Sequence, residues 1–188
     1  MEEPTPTTPE ITPQMIRLTL KTLESKGLVF YQEGGIYVDT DKGWKLLLRL
    51  KPAKEEIIAY GHPNVSAVSM ERFLITKSSD VKDGSTIAVR ADKSPKEFSD
   101  EFKLHLKETK NVEITIEVDE IVEKIKAHGS PALKLTSIEY ITISKNDHID
   151  GKTVAILADK SANELSQDLV EKLKNPNTRV KIVFEIKP

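Results

Sequence analysis

Residues 83–98 have the sequence DGSTIAVRADKSPKEF, and the stretch returns as DGKTVAILADKSANEL at residues 150–165. Ala-Asp-Lys-Ser recurs unchanged within it. The similarity extends outward, because residues 55–77 match 123–145 and residues 112–118 match 180–186, with 23 of the 54 aligned positions identical. Similarity at a fixed spacing is typical of repeated units that bury one continuous core. We therefore predict two repeats, residues 55–118 and 119–188, that together form one duplicated domain.

Each repeat carries the pattern strand, strand, strand, helix, strand. Apolar residues alternate with polar ones in 112–118 and in 180–186, which predicts half-buried last strands. An Asp-Gly turn precedes the third strand. Ser94 and Ser161, each followed three residues later by Glu, are predicted to be N-caps of the two helices. The expected fold class is α+β, a β-rich domain whose sandwich or barrel-like core has about eight strands. The predicted strands are 55–60, 72–77, 86–91 and 112–118, then 123–128, 137–145, 153–158 and 180–186.

The N-terminal part of the chain has a different pattern. Residues 1–11 are rich in Pro and Thr, which predicts a flexible tail. Thr12 and Gly27 bound a predicted helix, a strand pair follows around Gly34-Gly35, and a second helix is predicted from Thr40 to Leu50. The passage LESKGLV at 23–29, followed by TDKGW at 40–44, resembles the helix–wing–helix part of winged-helix DNA-binding domains. Residues 12–54 are therefore interpreted as a partial winged-helix module with its linker.

That resemblance implies a nucleic-acid contact. Gln14, Arg17 and Lys21 share the helix face opposite the apolar stripe, where they could reach bases and phosphates of DNA or RNA. The alternative is an ordinary solvated helix face. Met15 and Leu18 lie on a third side of the same helix and predict a homodimer through helix 13–26, with docking onto the duplicated domain as the alternative.

Residues 55–188 resemble a second family. The motifs YGHPNV at 60–65, ITK at 75–77 and RADK at 90–93 are similar to those of the archaeal domain of unknown function 371 family. The resemblance implies no activity, cofactor or partner.

Two groups of residues are candidates for ligand binding. His62 and Asn64 lie in a turn, where a histidine could bind a ligand or simply form structural hydrogen bonds. The Asp-Lys pairs precede a predicted helix N-terminus, where backbone N–H groups and a lysine could hold an anion. The alternative is that the aspartates brace the turn while the serines cap the helices. The candidate residues are His62, Asn64, Asp92, Lys93, Asp159 and Lys160.

Composition excludes several classes of site. The chain of 188 residues has no cysteine, so disulfides and thiolate metal sites are excluded. Its net charge of −2 gives no general attraction to nucleic acid or membrane, and three consecutive leucines are too few for a membrane span. The four histidines show no metal-ligand spacing, and no cofactor fingerprint or catalytic set is present. We therefore expect no metal, no cofactor and no membrane contact. Abundant Lys and Glu favour a cytoplasmic, heat-adapted protein.

Three functions stay open on these grounds. The first is a nucleic-acid-associated transcriptional regulator with a duplicated sensing or assembly domain. The second is a non-enzymatic interaction or scaffold protein. The third is an enzyme or small-anion binder with a cleft near His62, Asp92 and Lys93.

Overall fold

The computed structural model describes residues 52–187, the backbone of residues 29–32 and 35–38, and the helical residues Lys21 and Ser25. The chain divides into two compact units, residues 1–47 and 48–188. In the first unit, β1 (Val29–Gln32) pairs antiparallel with β2 (Gly35–Val38), so the predicted hairpin is present. The predicted tail, the start of the first helix and the second helix lie outside the described residues. The winged-helix module and the homodimer through helix 13–26 therefore stay predictions.

Residues 52–187 form an α+β domain with two sheets of four strands and two α-helices, and the predicted α+β class is confirmed. The same order of elements occurs in 53–118, here called the first half, and in 121–186, the second half. That the two halves superpose stays a prediction. In the first half the elements are β3 (Ala53–Tyr60), β4 (Arg72–Thr76), β5 (Thr86–Ala88), a 3-10 turn (Pro95–Glu97), α1 (Asp100–Glu108) and β6 (Val112–Val118). In the second half they are β7 (Ile121–Ala127), β8 (Tyr140–Ser144), β9 (Thr153–Ala155), a 3-10 turn (Ala162–Glu164), α2 (Gln167–Leu173) and β10 (Arg179–Ile186).

The first sheet mixes strands of the two halves. Its order is β3-β10-β6-β7, and every neighbouring pair is antiparallel. Alternate residues of each strand are buried, as the period of two in the sequence predicts. The last strand of each half therefore pairs with the first strand of the other half, and the two last strands pair with each other.

The second sheet has the order β5-β4-β8-β9. Its centre is the antiparallel pair β4–β8, in which Leu74 lies opposite Thr142, while β5 and β9 are parallel to their neighbours. The predicted Asp-Gly turns do precede β5 and β9, but they do not join antiparallel strands. Asp83 and Asp150 accept nearby backbone N–H groups and so form local turns. Residues 77–85 run back along β4 before β5 begins, so β5 is parallel to β4.

Two single bridges join the sheets at both edges. Tyr60 at the end of β3 bridges Val89, just after β5, and His128, just after β7, bridges Ile156, just after β9. The core lies between the sheets and consists of apolar side chains, among them the contacting rings of Phe98, Phe102 and Phe184. Because the bridges connect the edge strands of the two sheets, the core is barrel-like.

The helices begin later than the sequence predicts. Ser94 and Ser161 start only the 3-10 turns, and the α-helices begin six residues further on, with Ser99 and Ser166 as N-caps. The Ser99 hydroxyl accepts the backbone N–H of Phe102 at 3.2 Å. The physical reason is that Glu97 accepts both the backbone N–H and the hydroxyl of Ser94, and the chain then turns extended at Phe98. The predicted capping boxes of Ser94 and Ser161 are therefore present, but they begin the 3-10 turns, and the serine after each 3-10 turn is the N-cap of the α-helix.

Gly61 and Gly129 lie where the first strand of one half meets the helix end of the other half. A β-carbon at Gly61 would collide with the backbone oxygens of Leu173 and Asn175, and one at Gly129 would collide with that of Leu106. Glycine is therefore required at both positions by close backbone approach.

Candidate functional site

His62 holds a turn together. Its backbone N–H donates to the carbonyl oxygen of Leu173 at 2.8 Å, and its Nδ1 accepts the backbone N–H of Asn64 at 3.1 Å. Its carbonyl oxygen accepts the backbone N–H of Val65 at 3.0 Å. The backbone N–H of His62 thus fastens the Gly-His-Pro turn to the end of α2, the half-buried imidazole closes the turn itself, and Asn64 lies exposed.

Asp92 and Asp159 extend the first sheet. The backbone N–H of Asp92 donates to the oxygen of Ile58 at 2.9 Å, and its carboxylate accepts the N–H of Ile58 at 3.0 Å. Asp159 forms the same pair of bonds with Lys126, both at 2.9 Å. Each carboxylate takes the place of a strand carbonyl, so both aspartates brace the chain before the 3-10 turns.

Lys93 and Lys160 each contact a negative charge, but it is the carboxylate of a glutamate in the same chain. Lys93 Nζ lies 2.6 Å from the carboxylate of Glu55, and Lys160 Nζ lies 2.7 Å from that of Glu123. The second oxygen of each glutamate accepts the backbone N–H of the helix-capping Ser99 or Ser166, both at 3.0 Å. We call these two arrangements the carboxylate clamps.

Both glutamates are buried, with 6% and 7% of the surface of Glu55 and Glu123 exposed. Burial raises the pKa of Glu123, but hydrogen bonds from Lys160 and Ser166 outweigh it, and the net pKa lies below its ordinary value of 4.5. The buried glutamates depend on these partners for compensation of their charge, whereas Lys93 and Lys160 are 38% and 35% exposed, so water screens the lysine side of each pair. The sequence does contain a signal that was missed: a glutamate stands at a core position of β3 and again of β7.

Lys77 and the aligned Lys145 also form ion pairs with glutamates of the chain. Lys77 Nζ lies 3.0 and 2.7 Å from the two carboxylate oxygens of Glu97, and Lys145 contacts Glu164 at 2.6 Å. These glutamates also accept the hydroxyls of Ser94 and Ser161. The lysine that ends the ITK motif therefore fixes the 3-10 turn.

An open cleft lies at the end of β7. It has two lobes, of about 460 and about 540 Å³, that share His128 and Leu157 in their walls. Its walls are residues 107–113, 126–131, 156, 157 and 159, with Glu185 of β10 and Lys187 just after that strand. We call it the His128 cleft. Leu157 is 47% exposed and has a left-handed backbone, with φ of 51°.

The aligned place in the first half is differently built. Tyr60 aligns with His128 and Arg90 with Leu157, and Arg90 shares the left-handed backbone, with φ of 54°. The Arg90 guanidinium lies 4.6 Å from the centroid of the Tyr60 ring, and its Nη2 donates to the oxygen of Pro176 at 2.6 Å. The arginine thus covers the end of β3, whereas the shorter leucine leaves the end of β7 open.

The acidic side chains of the His128 cleft are mostly engaged within the chain. Glu113 lies 3.1 Å from Lys124 and 3.3 Å from Lys187, and Lys187 also lies 3.3 Å from Glu185. The Asp159 carboxylate accepts a backbone N–H, as described above. Within residues 52–187, by contrast, three cleft lysines form no ion pair, namely Lys107, Lys110 and Lys126. Glu108 and Asp159 also line the cleft, but the three lysines without an ion pair can still contact a ligand's negative group.

Contacts between residues far apart in the sequence form this cleft, so no local sequence pattern marks it. The structure bonds His62 to the end of α2, Asp92 to β3 and Lys93 to Glu55, so these polar groups have partners within the chain. Asp159 alone among the candidate residues lines the His128 cleft. The usable signal was a difference between the repeats, since His128 and Leu157 replace Tyr60 and Arg90.

The other predicted sites are placed as follows. Lys21 is helical and exposed, whereas Gln14 and Arg17 lie outside the described residues. Within the described part of the chain, no group of three or more His, Asp or Glu residues is placed to hold a metal ion. Of the helices that the structure describes, none has the length and apolar character needed to cross a membrane.

Comparison with known proteins agrees with the motifs. The model of the domain of unknown function 371 (DUF371) matches residues 57–187. The chain belongs to this family. It is 35% identical, over 132 residues, to the uncharacterized protein MJ0206 of Methanocaldococcus jannaschii, an alignment that covers 69% of this chain and 96% of that relative. Neither description names an activity for the DUF371 domain.

The glutamates of the 3-10 turns predict an acid-sensitive fold. Hydrogen bonds from Lys77 and Ser94 lower the pKa of Glu97 from 4.5 to about 2, and those from Lys145 and Ser161 do the same for Glu164. Because the folded-state pKa is depressed, this stabilisation is present above about pH 4.5 and is lost as the pH falls towards 2. We expect thermal melts between about pH 5 and 2 to show a shallower loss of Tm in the double variant E97Q/E164Q than in the wild type. The control is E101Q, at an exposed position on α1, which should keep the wild-type slope; equal slopes in all three proteins would contradict the assignment.

Proposed function

We propose that the DUF371 domain of this protein binds a small organic anion in the His128 cleft and acts as a binding protein, not as an enzyme. Each lobe falls within the range of about 300–1,000 Å³ that is usual for ligand pockets. The walls combine apolar surface, at Leu157 and Pro131, with lysines that have no carboxylate partner. The enzyme hypothesis near His62, Asp92 and Lys93 loses support, because the polar atoms of these residues stabilise the fold.

The difference between Arg90 and Leu157 carries the proposal. A surface that is merely structural has no reason to be covered in one half and open in the other. We infer an internal duplication in which both halves kept the strand order and the carboxylate clamps. After such a duplication, an arginine could close the end of β3 in the first half, while the end of β7 in the second half kept or acquired a ligand-binding cleft.

The charge of the cleft favours an anion. The C-terminal end of α1 contributes about half a negative charge from its dipole. Lys107 and Lys110, at the same helix end, contribute two full positive charges, which outweigh the dipole and the one negative charge of Glu108 between them. Lys126 adds a third from β7. An aromatic or aliphatic body next to Leu157 would complement the apolar part of the wall.

The substitution L157R tests the cleft by placing at residue 157 the arginine that the first half has at the aligned position 90. Arg90 shows that arginine tolerates this left-handed backbone, so the guanidinium introduced by L157R should lie across His128 and close the cleft. The probe is 8-anilinonaphthalene-1-sulfonate, an amphipathic anion whose fluorescence rises on binding. We expect L157R to weaken its binding by at least about tenfold.

The matched control is R90L, which changes the aligned position and should leave the affinity of the His128 cleft unchanged. The double variant K107E/K110E should also weaken binding and reduce its salt dependence, because it removes the anion's partners. Equal affinity of L157R and wild type, or an effect of R90L as large as that of L157R, would contradict the proposal.

A second candidate function is nucleic-acid-associated transcription regulation. Its support is that Lys21 and Ser25 are helical, exposed and one turn apart, and that an antiparallel hairpin follows. A surface of this kind could contact DNA or RNA, and a homodimer through helix 13–26 would suit two half-sites. The alternative is that the N-terminal unit serves only protein contacts, as in a scaffold protein.

The double variant R17E/K21E tests this candidate. We expect the full chain to bind duplex DNA at low salt and the variant to bind more weakly, with a flatter dependence on salt concentration. Fluorescence anisotropy with a labelled duplex measures both. Absence of binding by the intact protein at low salt would reject the candidate and favour the scaffold alternative.

A further inference from the structure

The backbone N–H groups of Gly129 and Ser130 form no hydrogen bond with the described residues. Gly129 is buried and Ser130 is half-buried, and both line the lobe of the His128 cleft that measures about 540 Å³. Backbone N–H groups away from bulk water are almost always bonded to the chain, to ordered water or to a ligand. Two consecutive N–H groups in a cleft wall therefore offer a pair of donors to a bound molecule.

The aligned N–H groups of the first half are both bonded within the chain. Gly61 donates its backbone N–H to the oxygen of Thr178 at 3.0 Å, and His62 donates its own to the oxygen of Leu173 at 2.8 Å. Both acceptors are carbonyl oxygens, one at the end of α2 and one in the chain that leads from α2 to β10. The same pair of donors thus binds two oxygens in one half and none in the other.

The end of α1 takes the corresponding place in the second half. The oxygen of Leu106, which aligns with Leu173, lies against the Cα of Gly129, since an added β-carbon would collide with it. The N–H groups of Gly129 and Ser130 nevertheless form no bond with this helix end. Their aligned direction leads towards residues 107–110, which line the same lobe. A ligand in this lobe therefore lies on the side to which the N–H groups of the first half point.

The charge of this lobe fits a single negative charge. Lys107 and Lys110 carry one positive charge each and form no ion pair in the described part of the chain, while Glu108 carries one negative charge. The net charge of these three side chains is therefore +1, which balances a monoanion. Two N–H donors match the two oxygens of a carboxylate. Leu157 and Pro131 add apolar surface to the same wall.

We propose that the ligand of the His128 cleft is a monocarboxylate with an apolar body, and that the N–H groups of Gly129 and Ser130 donate to its two carboxylate oxygens. This inference rests on the function proposed above and specifies the anion and its position. The carboxylate takes the place that two carbonyl oxygens have in the first half. The two lysines at the end of α1 supply the positive charge, and the apolar body lies along Leu157.

Titration of the full chain with 3-phenylpropanoate, followed by proton–nitrogen NMR, tests the contact. We expect the amide signals of Gly129 and Ser130 to move downfield as their N–H groups gain an acceptor, whereas those of Gly61 and His62, which are already bonded, should stay in place. The uncharged 3-phenylpropanamide should bind at least about tenfold more weakly. Phenyl phosphate should also bind more weakly, because its second negative charge is not balanced. Tighter binding of the phosphate than of the carboxylate would contradict the assignment.

The variant S130P removes one of the two donors, because proline has no backbone N–H. Its reference is S130A, which lacks the hydroxyl but keeps the N–H. We expect S130P to bind 3-phenylpropanoate at least about tenfold more weakly than S130A, with the same Tm in the ligand-free state, because no bond with the described residues is lost. The matched control H62P loses the 2.8 Å bond to Leu173, and its Tm should fall below that of H62A.

The outcomes separate this inference from the function on which it rests. If L157R weakens the binding of 8-anilinonaphthalene-1-sulfonate, but 3-phenylpropanoate leaves the Gly129 and Ser130 signals in place or binds equally to S130P and S130A, the carboxylate contact is wrong and the cleft proposal stands. If neither probe binds the wild type, both are overturned. A loss of Tm in S130P as large as that in H62P would show that the Ser130 N–H has an acceptor in the chain, and would also overturn the inference.

Discussion

The last strand of the chain, β10, forms hydrogen bonds with β3 along one edge and with β6 along the other. Both neighbours belong to the first half, so β10 is placed only when the first half is present. β7 depends in the same way on β6. Neither half can complete its part of the first sheet alone, and the buried face of that sheet contributes much of the core. The rest of the architecture follows from this exchange of strands.

The carboxylate clamps connect the first strand of each half to the helix of the same half. Glu55 lies on β3 and binds the start of α1, while Glu123 lies on β7 and binds the start of α2. Glycines 61 and 129 then let the far end of each helix approach the first strand of the opposite half. Each helix is therefore held at one end by its own half and at the other end by the opposite half. The surfaces left to vary are the strand ends outside these contacts, which is where Arg90 and Leu157 differ.

The sequence was informative wherever the signal was local. Alternation in 112–118 and 180–186 located β6 and β10 almost to the residue, because burial on one face imposes a period of two. The helix starts were misplaced because Glu97 and Glu164 close a 3-10 turn before the α-helices begin. The parallel entry of β5 and β9 could not be inferred from an Asp-Gly pair, which fixes only the local turn.

The candidate site could not be predicted from local sequence patterns either. An anion was expected beside Lys93 and Lys160, and the structure supplies it from Glu55 and Glu123, far away in sequence. The His128 cleft combines residues from α1, β6, β7, β10 and the chain beyond β9. No local pattern marks such a combination. Only the comparison of the two repeats, position by position, could have singled out His128 and Leu157.

Separating the halves tests the strand exchange most directly. The chain can be cut in the β6–β7 turn and produced as fragments 1–118 and 119–188. Strand exchange predicts that 119–188 alone shows no cooperative thermal unfolding as a monomer, and that mixing the fragments restores a one-to-one complex with a single unfolding transition. A monomeric 119–188 fragment that unfolds cooperatively on its own would contradict it.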